Sequence, residues 1–207
     1  MSFLNELKNN RKLKNVDTVI TNKDGTKHKV NITTGSRSEL HSDDENAPQS
    51  LGFVVDTKPD DQCYRCDLSE YNDSANLFIG SQDAAFNRQH LDHHGITRIL
   101  NVGYGIANLY ANDGIGYMNI DIYDDVDYNI YDHFSEAFQF LDLAISEQRS
   151  ILIHCNAGIS RSSTILIAYL MKRHHLTLEH AYSIVKKARP LIKPNQGFYN
   201  QLKNYEK

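Results

Sequence analysis

A chain of 207 residues, 40% hydrophobic and 23% charged, can bury one sizeable core, and no apolar run reaches the ~20 residues that a membrane-crossing helix needs. A net charge of −4 gives no general reason to expect nucleic acid or an anionic membrane as partner, and three cysteines, an odd number, argue against a disulfide framework. The first residues, "MSFLNELKNNRKLKN", contain no apolar stretch of signal-peptide length, so the sequence reads as that of a cytoplasmic protein.

Charge is spread unevenly. Residues 1–40 carry eight Lys/Arg against four Asp/Glu, whereas residues 41–73 carry two against nine. Such blocks read first as a solvated extension and second as a docking tail for a partner. Within them, "VDTVITNKDGTKHKVNI" (16–32) holds two short extended runs around Asp24-Gly25, a favoured hairpin turn pair. The segment "TGSRSELHSDDENAPQS" (34–50) is polar, acidic and aperiodic, and is expected to be a flexible linker. From Leu51 the apolar content rises, dividing the chain into an extension, 1–50, and a folded domain, 51–207.

Early in that domain, Cys63-Tyr-Arg-Cys66 has the spacing of half a zinc site, but no second such pair follows. Packing roles are expected for both cysteines, and surface or packing roles for the pairs His93-His94 and His174-His175. Four short apolar runs then read as strands: "NLFIG" (76–80), "ITRILNV" (96–102), "IGYMNI" (115–120) and "ILIH" (151–154). Between them "DAAFNRQHLDHHG" reads as one helix stopped by Gly95, and "YDHFSEAFQFLDLAISEQ" as a helix with Phe134, Phe138, Leu141 and Ile145 on one face. Three further helices are expected over Ser162–His174, Leu178–Ala188 and Gly197–Tyr205. Strands alternating with helices imply an α/β domain with a central, mostly parallel sheet flanked by helices.

The stretch "ILIHCNAGISRSST" (151–164) carries the chemistry. It reads as strand, tight loop, helix. A helix N-terminus offers free N–H groups and the positive end of a macrodipole, which suits an anion. Gly158 lets the loop curl so that successive N–H groups point inward as a nest. Arg161 adds a planar fork able to grip two phosphate oxygens. Cys155 stands in the floor of this ring as a nucleophile, because the field that binds phosphate also favours a thiolate. In-line attack on a phosphomonoester would give a cysteinyl-phosphate that water then hydrolyses, with Ser162 hydrogen-bonding the departing sulfur. This chemistry needs no metal and no cofactor. A general acid is still required, and "NIDIYDDVDYNIYDHF" supplies candidates. Asp121 continues a strand and Asp132 opens a helix as a cap, leaving Asp124, Asp125 and Asp127 undivided.

"HCNAGISRS" resembles the signature loop of the protein tyrosine phosphatase superfamily. "LFIGSQDAA", "ILNV" and "AYSIVKKARPLIKPNQGFYNQL" resemble its atypical dual-specificity branch. The resemblance implies a phosphatase fold and a catalytic domain over 51–207. It implies Cys155 as nucleophile and Arg161 as phosphate ligand, within a substrate-binding set of His154 and residues 156–161 in which His154 orients the loop. It selects Asp124 as the acid, with Asp125 as runner-up, and places Ser162 at the usual hydroxyl position. It implies phosphorylated protein substrates, with phosphotyrosine and phosphoserine or phosphothreonine as targets, and association with MAP kinases or their upstream kinases in stress signalling. Asn195 reads as a turn or cap bracing the cysteine loop.

Competing readings are weaker. A lipid or RNA phosphatase would favour extra lysines or arginines in the loop, and Asn156, Ala157, Ile159 and Ser160 supply none. A non-catalytic scaffold of a kinase cascade would usually lack the cysteine or the arginine. A sulfurtransferase fits Arg161 poorly.

Overall fold

The computed structural model describes strands Thr18–Thr21 (β1), Lys27–Val30 (β2) and Arg37–Leu40 (β3) by their backbone, and residues 60–206 in full. The chain separates into two compact units, 1–58 and 59–207, so the boundary expected after residue 50 falls inside the first unit. In that unit β1 pairs antiparallel with β2, joining Thr18 to Val30 and Thr21 to Lys27, and β2 pairs antiparallel with β3. The linker expected over 34–50 therefore contains a strand at Arg37–Leu40. Strand pairing runs through backbone groups, which polar composition does not reveal. The rest of that linker lies outside the described residues.

The second unit is built on a five-stranded sheet. Its strands are Tyr64–Arg65 (β4), Leu77–Gly80 (β5), Ile96–Asn101 (β6), Gly116–Asn119 (β7) and Ser150–His154 (β8), in the order β4-β5-β8-β6-β7. Only β4 is antiparallel to its neighbour; β5, β8, β6 and β7 are mutually parallel. Alternation sorts side chains to the two faces. Leu77, Ile79, Leu100, Ile151 and Ile153 enter one apolar cluster, and Phe78, Ile99 and Leu152 the other. Cys66 and Cys63, three residues apart across β4, likewise fall into opposite clusters. That separation suits packing and does not suit a shared metal.

The helices are Gln82–Phe86 (α1), Arg88–His93 (α2), Phe134–Ser146 (α3), Arg161–His174 (α4), Leu178–Ala188 (α5) and Gln196–Tyr205 (α6). The single helix expected over 83–95 is two. Asn87 adopts an extended conformation and its side chain accepts from the His90 N–H, capping α2 and breaking the run. The expected cap at Asp132 is also corrected. Residues Tyr131–His133 form a 3₁₀ turn, α3 starts at Phe134, and no side chain caps its first turn. Helix α4 is buried from Arg161 to Met171, the central helix of the larger cluster. In the sheet, Gly80, Asn101 and His154 are in register, so three parallel strands end together at the edge where Cys155 emerges. None of the described helices is long and apolar enough to cross a membrane.

Candidate active site

β8 ends at His154, the loop Cys155–Ser160 follows, and α4 begins at Arg161. Cys155 is buried, with its Sγ 3.4 Å from the Ser162 Oγ. His154 is fully buried behind it, its Nδ1 3.3 Å from the Cys155 carbonyl. Burial pushes the imidazole down to about 4, so the ring is neutral at physiological pH. Its contact with the loop runs through the Cys155 carbonyl.

The loop's backbone accounts for itself. The carbonyl of Asn156 accepts from the Gln82 N–H at 2.9 Å, and that of Ile159 from the Lys193 N–H at 2.9 Å. Those of Ala157 and Gly158 each accept from Arg189 at 2.7 Å. That of Ser160 accepts from the hydroxyls of Ser163 and Thr164, each at 2.8 Å. All five are thus engaged on the outside of the ring. In a planar trans peptide the N–H points opposite to the carbonyl. The amides of Ala157, Gly158, Ile159 and Ser160 accordingly turn inward, and none of them meets an acceptor among the described residues. Gly158 is essential to the curl. Its φ is +66°, and a Cβ there would collide with the Gly80 backbone.

Arg161 lies across this ring with its plane fixed. Nη1 donates to the Ile122 carbonyl at 3.0 Å and Nη2 to the Asn156 Oδ1 at 2.7 Å. Nε is buried with no hydrogen-bond acceptor among the described residues, 3.6 Å from the Asp124 Oδ2. Asp124 is tied to the same loop: its Oδ1 accepts from the Ser160 hydroxyl at 2.7 Å and the Asn195 amide at 2.9 Å. Asn195 also caps α6, its Oδ1 accepting from the Phe198 N–H. Cys155, Arg161, Ser162 and Asp124 are therefore one constellation. Asp124, Asp125 and Asp127 are all exposed, and Asp125 Oδ1 accepts from the Asp127 N–H within the turn.

Sequence reasoning missed Arg189, Asp60 and Tyr64. Arg189 occurred only inside a motif quoted for resemblance, and no local pattern marks a contact 31 residues away. The expected metal-free reading of the cysteine and histidine pairs meets buried thiols whose pKa values desolvation pushes up to about 12, and a His174 that faces Asp73 at 3.1 Å.

A cysteine-bearing loop at the carboxyl ends of parallel strands suggests a class, and comparison with known proteins gives the family. The dual specificity phosphatase catalytic domain matches residues 77–207. A Dictyostelium discoideum protein named as a probable dual specificity protein phosphatase is 42% identical over 215 residues, covering 94% of this chain and 93% of the relative. Dual specificity protein phosphatase 19 of Mus musculus is 43% identical over 130 residues, 63% of this chain and 59% of the relative. The crystal structure of human DUSP28 is similar with a TM-score of 0.62 and 30% identity, covering 70% of this chain and 92% of that one. The chain belongs to the dual specificity phosphatase family, on its atypical branch within the protein tyrosine phosphatase superfamily. It is a cysteine-based protein phosphatase.

Proposed function

We propose that the protein hydrolyses phosphotyrosine and phosphoserine or phosphothreonine in proteins through a cysteinyl-phosphate formed on Cys155. The amides of residues 156–161 and the Arg161 fork hold the phosphoryl oxygens. The Cys155 sulfur attacks phosphorus, an S–P bond forms, the P–O bond to the substrate breaks, and Asp124 gives its proton to the departing oxygen. In the second step Asp124 takes a proton from water, the water oxygen attacks phosphorus, and the S–P bond breaks to return the thiolate and inorganic phosphate. Ser162, 3.4 Å from the sulfur, donates to it as it leaves. His154 holds the loop from behind. Catalysis belongs to the unit over 59–207.

The observation that carries this reading is the tethering of the Asp124 carboxylate to the phosphate loop through Ser160 and Asn195. The test uses four variants. Cys155→Ser should lose turnover and keep phosphopeptide binding, because the amide ring and Arg161 remain; undiminished hydrolysis would end the covalent reading. Asp124→Asn should remove the alkaline limb of the kcat/KM profile. It should slow phenyl phosphate by ~10²–10⁴-fold and an activated aryl phosphate far less. Asp125→Asn and Asp127→Asn should do neither. The family's association with stress-activated MAP kinase signalling extends the proposal to MAP kinases or their upstream kinases as substrates, for which doubly phosphorylated kinase peptides are the direct assay.

A further inference from the structure

Arg189 is the bulkiest fully buried side chain among the described residues, only 1% exposed. Burying a guanidinium is strongly unfavourable unless its N–H groups are matched, so its partners indicate what it is for. Nε donates to the Gly158 carbonyl and Nη2 to the Ala157 carbonyl, both at 2.7 Å. Nη1 lies 2.7 Å from the Asp60 Oδ2, at ion-pair distance but off the hydrogen-bond direction. The guanidinium carbon sits over the Tyr64 ring, 4.9 Å from its centroid, and the Tyr64 hydroxyl donates to the Asp60 Oδ1 at 3.1 Å. Asp60 is itself anchored, its carbonyl accepting from the Ser81 hydroxyl at 2.6 Å.

Resting on the phosphate-loop reading above, we propose that Arg189, oriented by Asp60 and Tyr64, is a positioning residue that sets the direction of two loop amides. Each peptide plane couples one carbonyl to the next residue's N–H. Pulling the Ala157 carbonyl outward turns the Gly158 N–H inward, and pulling the Gly158 carbonyl outward turns the Ile159 N–H inward. Gly158, with no Cβ and a positive φ, is where a peptide plane flips most readily. One rigid fork reaching both adjacent carbonyls removes that freedom. Lysine, a single point of charge on a flexible stem, cannot hold two carbonyls in a plane. Asp60 supplies the counter-charge that makes the buried cation tolerable. Asp60 and Tyr64 precede residue 77, where the match to the family's catalytic domain begins. The phosphate site therefore depends on a segment upstream of that match.

The test measures binding of inorganic phosphate by calorimetry, kcat and KM for phenyl phosphate, and thermal unfolding, all on the full chain. Arg189→Lys should weaken phosphate binding and raise KM by about tenfold or more, the loss of one strong hydrogen bond. The alkaline limb assigned to Asp124 should stay in place. Asp60→Asn, which conserves volume at a partly exposed position, should shift both quantities in the same direction by less. The double variant Asp60→Asn with Arg189→Met removes both charges together and leaves no unpaired ion; it should bind phosphate no better than Arg189→Lys. In wild-type protein the Gly158 and Ile159 amide resonances should move on adding phosphate, and in Arg189→Lys they should move less. A lowered unfolding temperature with wild-type phosphate affinity and KM would make Arg189 merely structural and overturn the inference. Should wild-type protein neither bind phosphate nor hydrolyse phenyl phosphate, the phosphate-loop reading would fall and this inference with it.

Discussion

On the proposed reading, Arg161 differs from an ordinary phosphate-binding cation because three of its atoms have distinct tasks. Nη1 and Nη2 fix the guanidinium plane against Ile122 and Asn156, and the buried Nε has no hydrogen-bond acceptor among the described residues. Lysine could keep the charge, but it could not keep both anchors and the third donor. Arg161→Lys should therefore lower kcat/KM for phenyl phosphate by about 10- to 100-fold, on the scale of one charge-assisted hydrogen bond. Steady-state kinetics on the folded variant checks this, and wild-type values would show that the fork is not used. Cys155, Gly158 and Arg161 could be read as candidates because they sit within one short motif whose spacing suits phosphate chemistry. Asp124 could be read only in part. Three aspartates share its loop, and what distinguishes it is contact with Ser160 and Asn195, which no local spacing encodes.

At the level of elements, α6 acts as a clamp on the loop that carries Asp124. Asn195 at its N-cap reaches Asp124, and Gln201 two turns along reaches the Tyr128 carbonyl at 2.8 Å and the Tyr131 N–H at 3.1 Å. Between them Gly197 lies so close to Val126 that a Cβ would overlap that residue's carbonyl. Phe198 and Leu202, on the adjoining stripe, are fully buried and fix the helix to the core. The backbone of residue 126 cannot yield as a side chain would, so Gly197→Ala should displace the acid loop while leaving the cysteine loop in place. The expected signature is a selective loss on phenyl phosphate, which needs a proton, with an activated aryl phosphate much less affected. Equal losses on both substrates would mean that the substitution damages the whole site. The amphipathic pattern over 197–205 announced this helix, but not the clamp, because Gly197 looks like any turn glycine until its neighbour is known. Hydrophobic patterning also found the long strands and missed β4. A two-residue strand between two cysteines has too little sequence for a period to show.

Across the whole molecule, the parallel arrangement and the buried α4 follow from apolar runs that alternate with amphipathic segments, which is why the α/β architecture was readable. What composition did not show is how the polar groups are matched, and these decide the response to acid. His154, His94 and His174 all titrate below the ordinary histidine value, burial being the largest cause in each. Asp61 is held low by the Gln62 side chain and Asp67 by the Ser69 hydroxyl. Burial opposes the same shift at Asp73, but bonds from Arg173 and the Ala75 N–H outweigh it. A group whose pKa is lower in the folded state binds protons less readily there than in the unfolded chain. Its stabilisation is complete above the unfolded value and lost as pH falls towards the folded one. The histidines therefore act first, from about 6.5 downward, and the carboxylates only below about 4. For His154, folded at about 4, the full cost is on the order of 3 kcal/mol. That is a large share of a typical domain's 5–15 kcal/mol, taken as an order of magnitude. The unfolding temperature should hold steady between about pH 7 and 8 and decline between about pH 6.5 and 4. His154→Asn keeps a donor for the Cys155 carbonyl and cannot be protonated, so its decline over that window should be shallower whatever its stability at pH 7. Thermal unfolding followed by circular dichroism across the window decides the matter, and parallel slopes for the two proteins would assign the acid sensitivity to groups other than His154.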